Sequence, residues 1–196
     1  MESTPPRKQQ ILQALAMELE QRPGDRITTA RLAQQLALSE AALYRHFPSK
    51  AAMFEGLIVF AEDTVYSLIA RIMEEEVGTS GRCQRILGMV LMFSERNPGI
   101  SRVLLGDALI GEHESLRLRT GQFFERLEAQ IRQILREADL GSGERASAPP
   151  SSVASLLVAL VEGRIARFVR SDFKHLPAED WEQHWGLLHC ALFAGR

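Results

Sequence analysis

The chain has 196 residues, a formal net charge of −2 and only two cysteines, Cys83 and Cys190. That length buries a sizeable core, as one domain or as a small domain joined to a larger one. The near-neutral charge singles out no partner, and two cysteines exclude a disulfide framework. The first ten residues, MESTPPRKQQ, lack an apolar signal core, and the apolar runs at 86–93 and 153–161 are too short to span a bilayer. The expectation is a soluble, cytoplasmic protein with reduced thiols.

Helical periodicity runs along nearly the whole chain and strand signals are almost absent, so the expected fold class is all-α. Ile11, Leu12, Leu15, Ala16 and Leu19 mark one face of a first helix, which ends before the breaker pair Pro23-Gly24. Thr28 caps a short second helix carrying Leu32, Ala33 and Leu36. Ser39 caps a third, which carries Ala42, Leu43 and Phe47 and stops at Pro48. Ser49 caps a long fourth helix. Further helices are expected near 82–96, 100–110, 112–138, 153–171 and 178–193, with the Gly/Ser/Pro-rich stretch 141–152 as a loop or linker. The expected division is a helix-turn-helix domain over 1–50 and a helical dimerisation and effector domain over 51–196.

Two short helices, 28–36 and 39–46, joined by two or three residues and preceded by a longer one, have the spacing of a helix-turn-helix. The second helix of such a unit lies in the DNA major groove. Its groove side must be small, and its ends must hold phosphates. Ala41 and Ala42 are small, Tyr44 offers a ring and a hydroxyl, and Arg45, His46 and Lys50 are donors near its end. Between Arg26 and Lys50 there are four basic residues against one acidic residue, Glu40, a local charge of +3 that leaves −5 for the rest. Leu43 and Phe47 read as core, and Tyr44, Arg45 or Lys50 taken singly also fit ordinary packing or a solvated face.

The stretch ITTARLAQQLALSEAALYRHFPSKAAMF, residues 27–54, resembles the DNA-binding domain of the TetR family. The match lies in Thr28-Thr29, Leu32-Ala33, Ser39, Leu43-Tyr44, His46-Phe47 and Ser49-Lys50. The resemblance implies double-stranded DNA with a palindromic site as partner, contacted by Thr28, Ser39, Ala42, Tyr44, His46 and Lys50; Thr29, Ala41 and Arg45 complete the expected DNA-binding set. One departure is Ala37, where the family commonly has Gly in the turn. A left-handed Ala there costs on the order of 1 kcal/mol. Segments 39–50, 95–99, 124–137 and 167–177 extend the resemblance to the nucleoid-occlusion class within that family, TetR-fold inhibitors of division-ring assembly. That class implies a tubulin-like cell-division protein as partner, held in a groove between the fourth and fifth helices. The walls expected here are Phe60, Leu68, Met89, Met92, Arg96 and Asn97. Leu68 stands where a basic residue is expected, and Arg71, nearly one turn on, is the substitute the sequence offers. Met89 and Met92 fit core filling equally well.

Val153, Leu156, Leu157, Leu160, Val161, Ile165 and Phe168 form a wide apolar face, and Trp181, Trp185 and Leu188 form a stripe on the last helix. Pairing with a second copy as a four-helix bundle makes Leu156, Leu157, Leu160, Phe168, Trp181, Trp185 and Leu188 the expected homodimer interface. Use of both faces inside one chain is the other reading. His184 and His189, five residues apart, diverge by roughly 140° on a helix, so no metal site is expected. No phosphate-binding loop or nucleophile elbow occurs, and neither an enzyme nor a cofactor is expected. The alternative function is a TetR-type transcriptional repressor released by a small-molecule effector, which needs an enclosed apolar cavity among helices four to eight.

Overall fold

The computed structural model describes residues 5–22, 25, 27–76, 78–140 and 144–193. The Pro23-Gly24 pair, Arg26 and residues 141–143 of the expected loop lie outside them. The described residues form helices α1 (Arg7–Gln21), α2 (Thr29–Gln35), α3 (Glu40–His46), α4 (Lys50–Glu75), α5 (Thr79–Arg96), α6 (Pro98–Leu104), α7 (Glu114–Leu140), α8 (Pro150–Arg170) and α9 (Trp181–Leu192), with no strand among them. No described helix is long and apolar enough to cross a membrane. The class is all-α, as the periodicity requires.

Each expected N-cap is in place. Thr28 accepts from the Arg31 amide at 3.4 Å, Ser39 from Ala42 at 3.1 Å and Ser49 from Ala52 at 3.1 Å. Several boundaries differ from expectation by two or three residues, α5 starting at Thr79 and α9 at Trp181, and two of the differences have a proline as their cause. The helix expected at 100–110 begins two residues earlier, because Pro98 takes its first position, and ends at Leu104, where left-handed Gly106 (φ 77°) turns the chain into one 3-10 turn. The helix expected from 153 begins at Pro150 for the same proline reason.

Packing divides the chain into two compact units. The first holds the residues up to Glu62 together with Asn97–Thr120; the second holds Asp63–Arg96 and the residues from Gly121 onward. The expected boundary at residue 50 falls where α4 begins, whereas the two units divide within α4, between Glu62 and Asp63.

In the first unit Ile11, Leu15 and Leu19 of α1 are buried with Leu32, Leu43, Phe47 and Phe54. Helix α6 lies directly on α1. A Cβ at Gly99 would sit 2.0 Å from the Ala16 carbonyl oxygen, so only glycine permits this approach. Buried Arg102 fastens the same crossing. Its Nη1 donates to the Leu19 and Arg22 carbonyls at 2.8 and 3.3 Å, and its Nε reaches Asp107 at 2.6 Å. Those carbonyls end α1 and have no partner within that helix. Arg119 ties α7 to α4 through Glu55 and Glu62, both at 2.8 Å.

In the second unit Trp181 lies against α5. A Cβ at Gly88 would fall 2.6 Å from the indole nitrogen, which donates to the Gln84 carbonyl at 3.1 Å. Trp185 and Phe193 continue the aromatic cluster. This corrects the expected dimer stripe. Leu157, Phe168, Trp181 and Trp185 are buried within a single chain: α8 packs on α5, and glycine at position 88 lets Trp181 of α9 dock on α5 as well. A charge at Leu157 therefore acts on the fold rather than on assembly. Leu156, 54% exposed, remains free, with Leu160 and Leu188 half-buried. Cys83 is buried, and burial pushes its thiol up to about 12, so it holds no thiolate at neutral pH.

The turn between α2 and α3 shows how the Ala37 departure is accommodated. Ala37 has φ 52°, in the left-handed region. The Leu38 amide donates to Ala33 at 2.8 Å and the Ala37 amide to Gln34 at 3.1 Å, the paired bonds of a Schellman turn. That geometry belongs to glycine, and alanine holds it under strain. Ala37→Gly is expected to stabilise the protein by roughly 0.5–1 kcal/mol, the relieved strain being partly offset by glycine's unfolded-state entropy. Equilibrium denaturation at fixed protein concentration measures it. An unchanged or lowered midpoint contradicts the strain.

Candidate nucleic-acid interface and partner cavity

The recognition helix α3 has only seven residues, and its inward side is Leu43, fully buried, followed by buried Phe47. Its outward side presents Glu40, Ala41, Tyr44 and Arg45, all exposed, with Ala42 and His46 half-buried. The small pair Ala41-Ala42 leaves the groove side low, as close approach to base edges demands. Thr28 and Ser39 are exposed, and each hydroxyl oxygen accepts a cap bond while its own proton remains available to a phosphate. Thr29 differs. Its hydroxyl donates to Glu40 Oε2 at 2.7 Å and accepts from the Tyr44 hydroxyl at 3.2 Å, so its proton is already engaged.

Lys50 is also placed differently from a free phosphate donor. Its Nζ lies 2.5 Å from Glu112 Oε1 and over the Phe54 ring, and the side chain is largely enclosed. The chain turns at left-handed Gly111 and carries Glu112 to it. A DNA phosphate must compete with that carboxylate for the lysine. Arg45 stands clear of any ion pair among the described residues. Neither Glu40, counted only in the local charge, nor Glu112 was among the expected contacts. Glu40 carried a signal, since it stands four residues before Tyr44 on one helix face; Glu112, 62 residues from Lys50, carried none.

The expected partner-binding residues separate into two sets. Leu68, Arg71, Met89 and Met92 line one cavity of about 540 Å³ in the second unit, together with Ile72, Glu75, Gln84, Arg85, Trp181 and Glu182. Phe60 and Asn97 line another, of about 450 Å³, in the first unit, with Leu12, Leu57 and Ile100. Arg96 is exposed and lines neither. The first cavity opens to solvent at Met92, 47% exposed, so this methionine does not fill the core. Arg85 bonds Glu75 at 2.7 Å, and Arg71 approaches the same carboxylate at 3.6 Å. The hydrogen bond from Arg85, followed by the charges of Arg85 and Arg71, holds the Glu75 carboxyl below its ordinary range. No group of His, Cys, Asp and Glu able to hold a metal occurs among the described residues.

A short capped helix pair with a low groove side and a basic end defines a helix-turn-helix DNA-binding protein. Residues 11–57 match the family of bacterial regulatory proteins, tetR family, and residues 78–192 match the tetracyclin repressor-like C-terminal domain. The chain belongs to the TetR family. It is 57% identical over 186 residues to Nucleoid occlusion factor SlmA of Shewanella loihica, covering 95% of this chain and 94% of that protein. The protein of the same name from Idiomarina loihiensis is 52% identical over 188 residues, 96% of each chain. Among solved structures, the MbdR regulator of Azoarcus sp. CIB superposes with a TM-score of 0.77 at 16% identity, over 94% of this chain and 97% of that one, a likeness of fold. The two relatives are named as nucleoid occlusion factors, in keeping with the expectation of a DNA-binding protein that is not an enzyme.

Arg45 and Lys50 differ in availability, one exposed and the other paired with Glu112. Arg45→Ala is expected to lower affinity for all DNA sequences and to flatten the log–log salt dependence by about one unit. Glu112→Gln, which releases Lys50, is expected to steepen it. Binding titrations across a salt series measure both slopes. An unchanged slope for Arg45→Ala removes that residue from the interface.

Proposed function

We propose that this protein is a dimeric, sequence-specific DNA-binding protein that acts as a nucleoid occlusion factor. In this reading it works in the cytoplasm at the nucleoid and inhibits division-ring assembly there by binding the tubulin-like division protein. The observation that carries the reading is the likeness to relatives named for nucleoid occlusion, which exceeds half of all positions and runs through both units. The cavity in the second unit supports it in kind. It is an open trough of Leu68, Ile72, Met89 and Met92 with guanidinium groups at its rim, which suits an extended segment bearing apolar and acidic residues. A repressor controlled by a small ligand calls instead for an enclosed pocket.

Dimerisation follows the surface left free in the second unit. Leu156 and half-buried Leu160 of α8 lie exposed to a partner, as do Leu187, 72% exposed, and half-buried Leu188 of α9. Cβ positions at Gly163 and Gly186 open into empty space, which leaves these helices room to accept a second copy closely. Two copies present two recognition helices, and these demand paired half-sites.

The test uses Met92→Asp, a surface change that puts a carboxylate in the trough. Binding of the division protein's tail is expected to fall at least about tenfold, by loss of an apolar contact and gain of repulsion. DNA binding by the same preparation is expected to stay unchanged, because the recognition helix lies in the other unit. Retained tail binding removes the trough from the interface. Release of DNA by a small apolar compound, with no tail binding by the unaltered protein, replaces this function with the repressor.

A further inference from the structure

Glu40 is out of place on a surface meant for phosphates. It is the only acidic residue between Arg26 and Lys50, and it stands at the first position of α3, exposed. A carboxylate brought into the field of a nucleic-acid backbone is repelled, so it weakens binding unless it gains a specific donor. Its setting is ordered. Tyr44 donates to Thr29, Thr29 donates to Glu40 Oε2, and these bonds of 3.2 and 2.7 Å run in one direction. Such a chain polarises each member and fixes the carboxylate's orientation. Among the described residues, Oε1 has no hydrogen-bond partner.

The first residues of a recognition helix are the ones that meet base edges in the major groove. Only two groups donate hydrogen bonds there, the N4 amine of cytosine and the N6 amine of adenine. Adenine places the N7 acceptor beside its amine, and that lone pair repels a carboxylate. Cytosine places a C–H beside its amine. A carboxylate held with one oxygen free therefore favours cytosine over adenine, and it rejects the acceptor edges of guanine and thymine.

We propose that Glu40, oriented by Thr29 and Tyr44, is a specificity-determining residue that selects a cytosine at one position of each DNA half-site. The proposal rests on the DNA-binding reading above and adds to it which base is read and by which atom.

The experiment is selection from a randomised duplex library with purified full-length protein, wild type, Glu40→Ala and Glu40→Gln, each checked for helix content. Wild type is expected to enrich sites with cytosine at one position per half-site. In Glu40→Ala the cytosine preference at that position is expected to fall about five- to tenfold or more while the others persist. Its binding to non-specific DNA is expected to match or exceed wild type, because a repelled charge is gone. Glu40→Gln, which offers both a donor and an acceptor, is expected to move that position toward adenine. Identical base preferences in wild type and Glu40→Ala overturn the proposal. So does a folded Glu40→Ala that loses all DNA binding, since Glu40 is then a brace between the two helices. Wild type that enriches no sequence at all contradicts the DNA reading itself.

Discussion

A helix of seven residues cannot hold itself together in water. Forming its first turn fixes several residues for one hydrogen bond, and isolated helices of this length are marginal at best. The recognition helix therefore exists only because it is held, and the first unit is organised around that need. Leu43 and Phe47 anchor α3 into a core shared with α1 and α4. Ser39 caps its start, and a strained Ala37 sets the angle at which it leaves α2. Beneath it α1 is fixed in turn by α6, through the backbone approach at Gly99 and the carbonyls gathered by Arg102. The exposed side of α3 is free to be chosen for DNA because the buried side carries the stability.

The second unit solves a different problem with similar means. Gly88 lets Trp181 lie on α5, which closes the core between α5 and α9 and leaves Met92 at the lip of a trough. The trough's cations are not idle. Glu75 takes Arg85 and shares Arg71, so in the proposed function an incoming acidic segment would exchange one carboxylate for another. Exchange of this kind favours selectivity over raw affinity, because a ligand without an acidic group gains nothing from breaking the native pair. In the proposed DNA complex a similar competition arises at Lys50, which Glu112 holds in an ion pair. Both proposed interfaces thus carry an internal anion that an external one must replace.

The helices and their caps were legible in the sequence because they depend on local chemistry. Thr28, Ser39 and Ser49 bond amides three residues away, and apolar spacing marks the buried faces of α1, α4 and α7. Three features were not legible. The apolar stripe of Trp181 and Trp185 reads equally as an interface or as core, and the choice depends on Gly88, about ninety residues distant. Lys50 looks like a phosphate donor until Glu112 is brought beside it by a turn at Gly111. Met89 and Met92 alternate between core and surface by one helical step, and only the packing of α9 decides it. Periodicity gives the face of a helix that is apolar; it does not say what covers that face.

In the proposed function one chain engages DNA and the tubulin-like division protein together, through different units. The most direct measurement is the mass of the assembly formed by purified protein, a palindromic duplex drawn from its selected sites and the division protein's C-terminal tail. Light scattering coupled to size-exclusion chromatography supplies it. One species holding the duplex, paired copies of this chain and bound tail at the same time is expected. Mutually exclusive binding, in which the tail strips the protein from DNA or the duplex expels the tail, contradicts it.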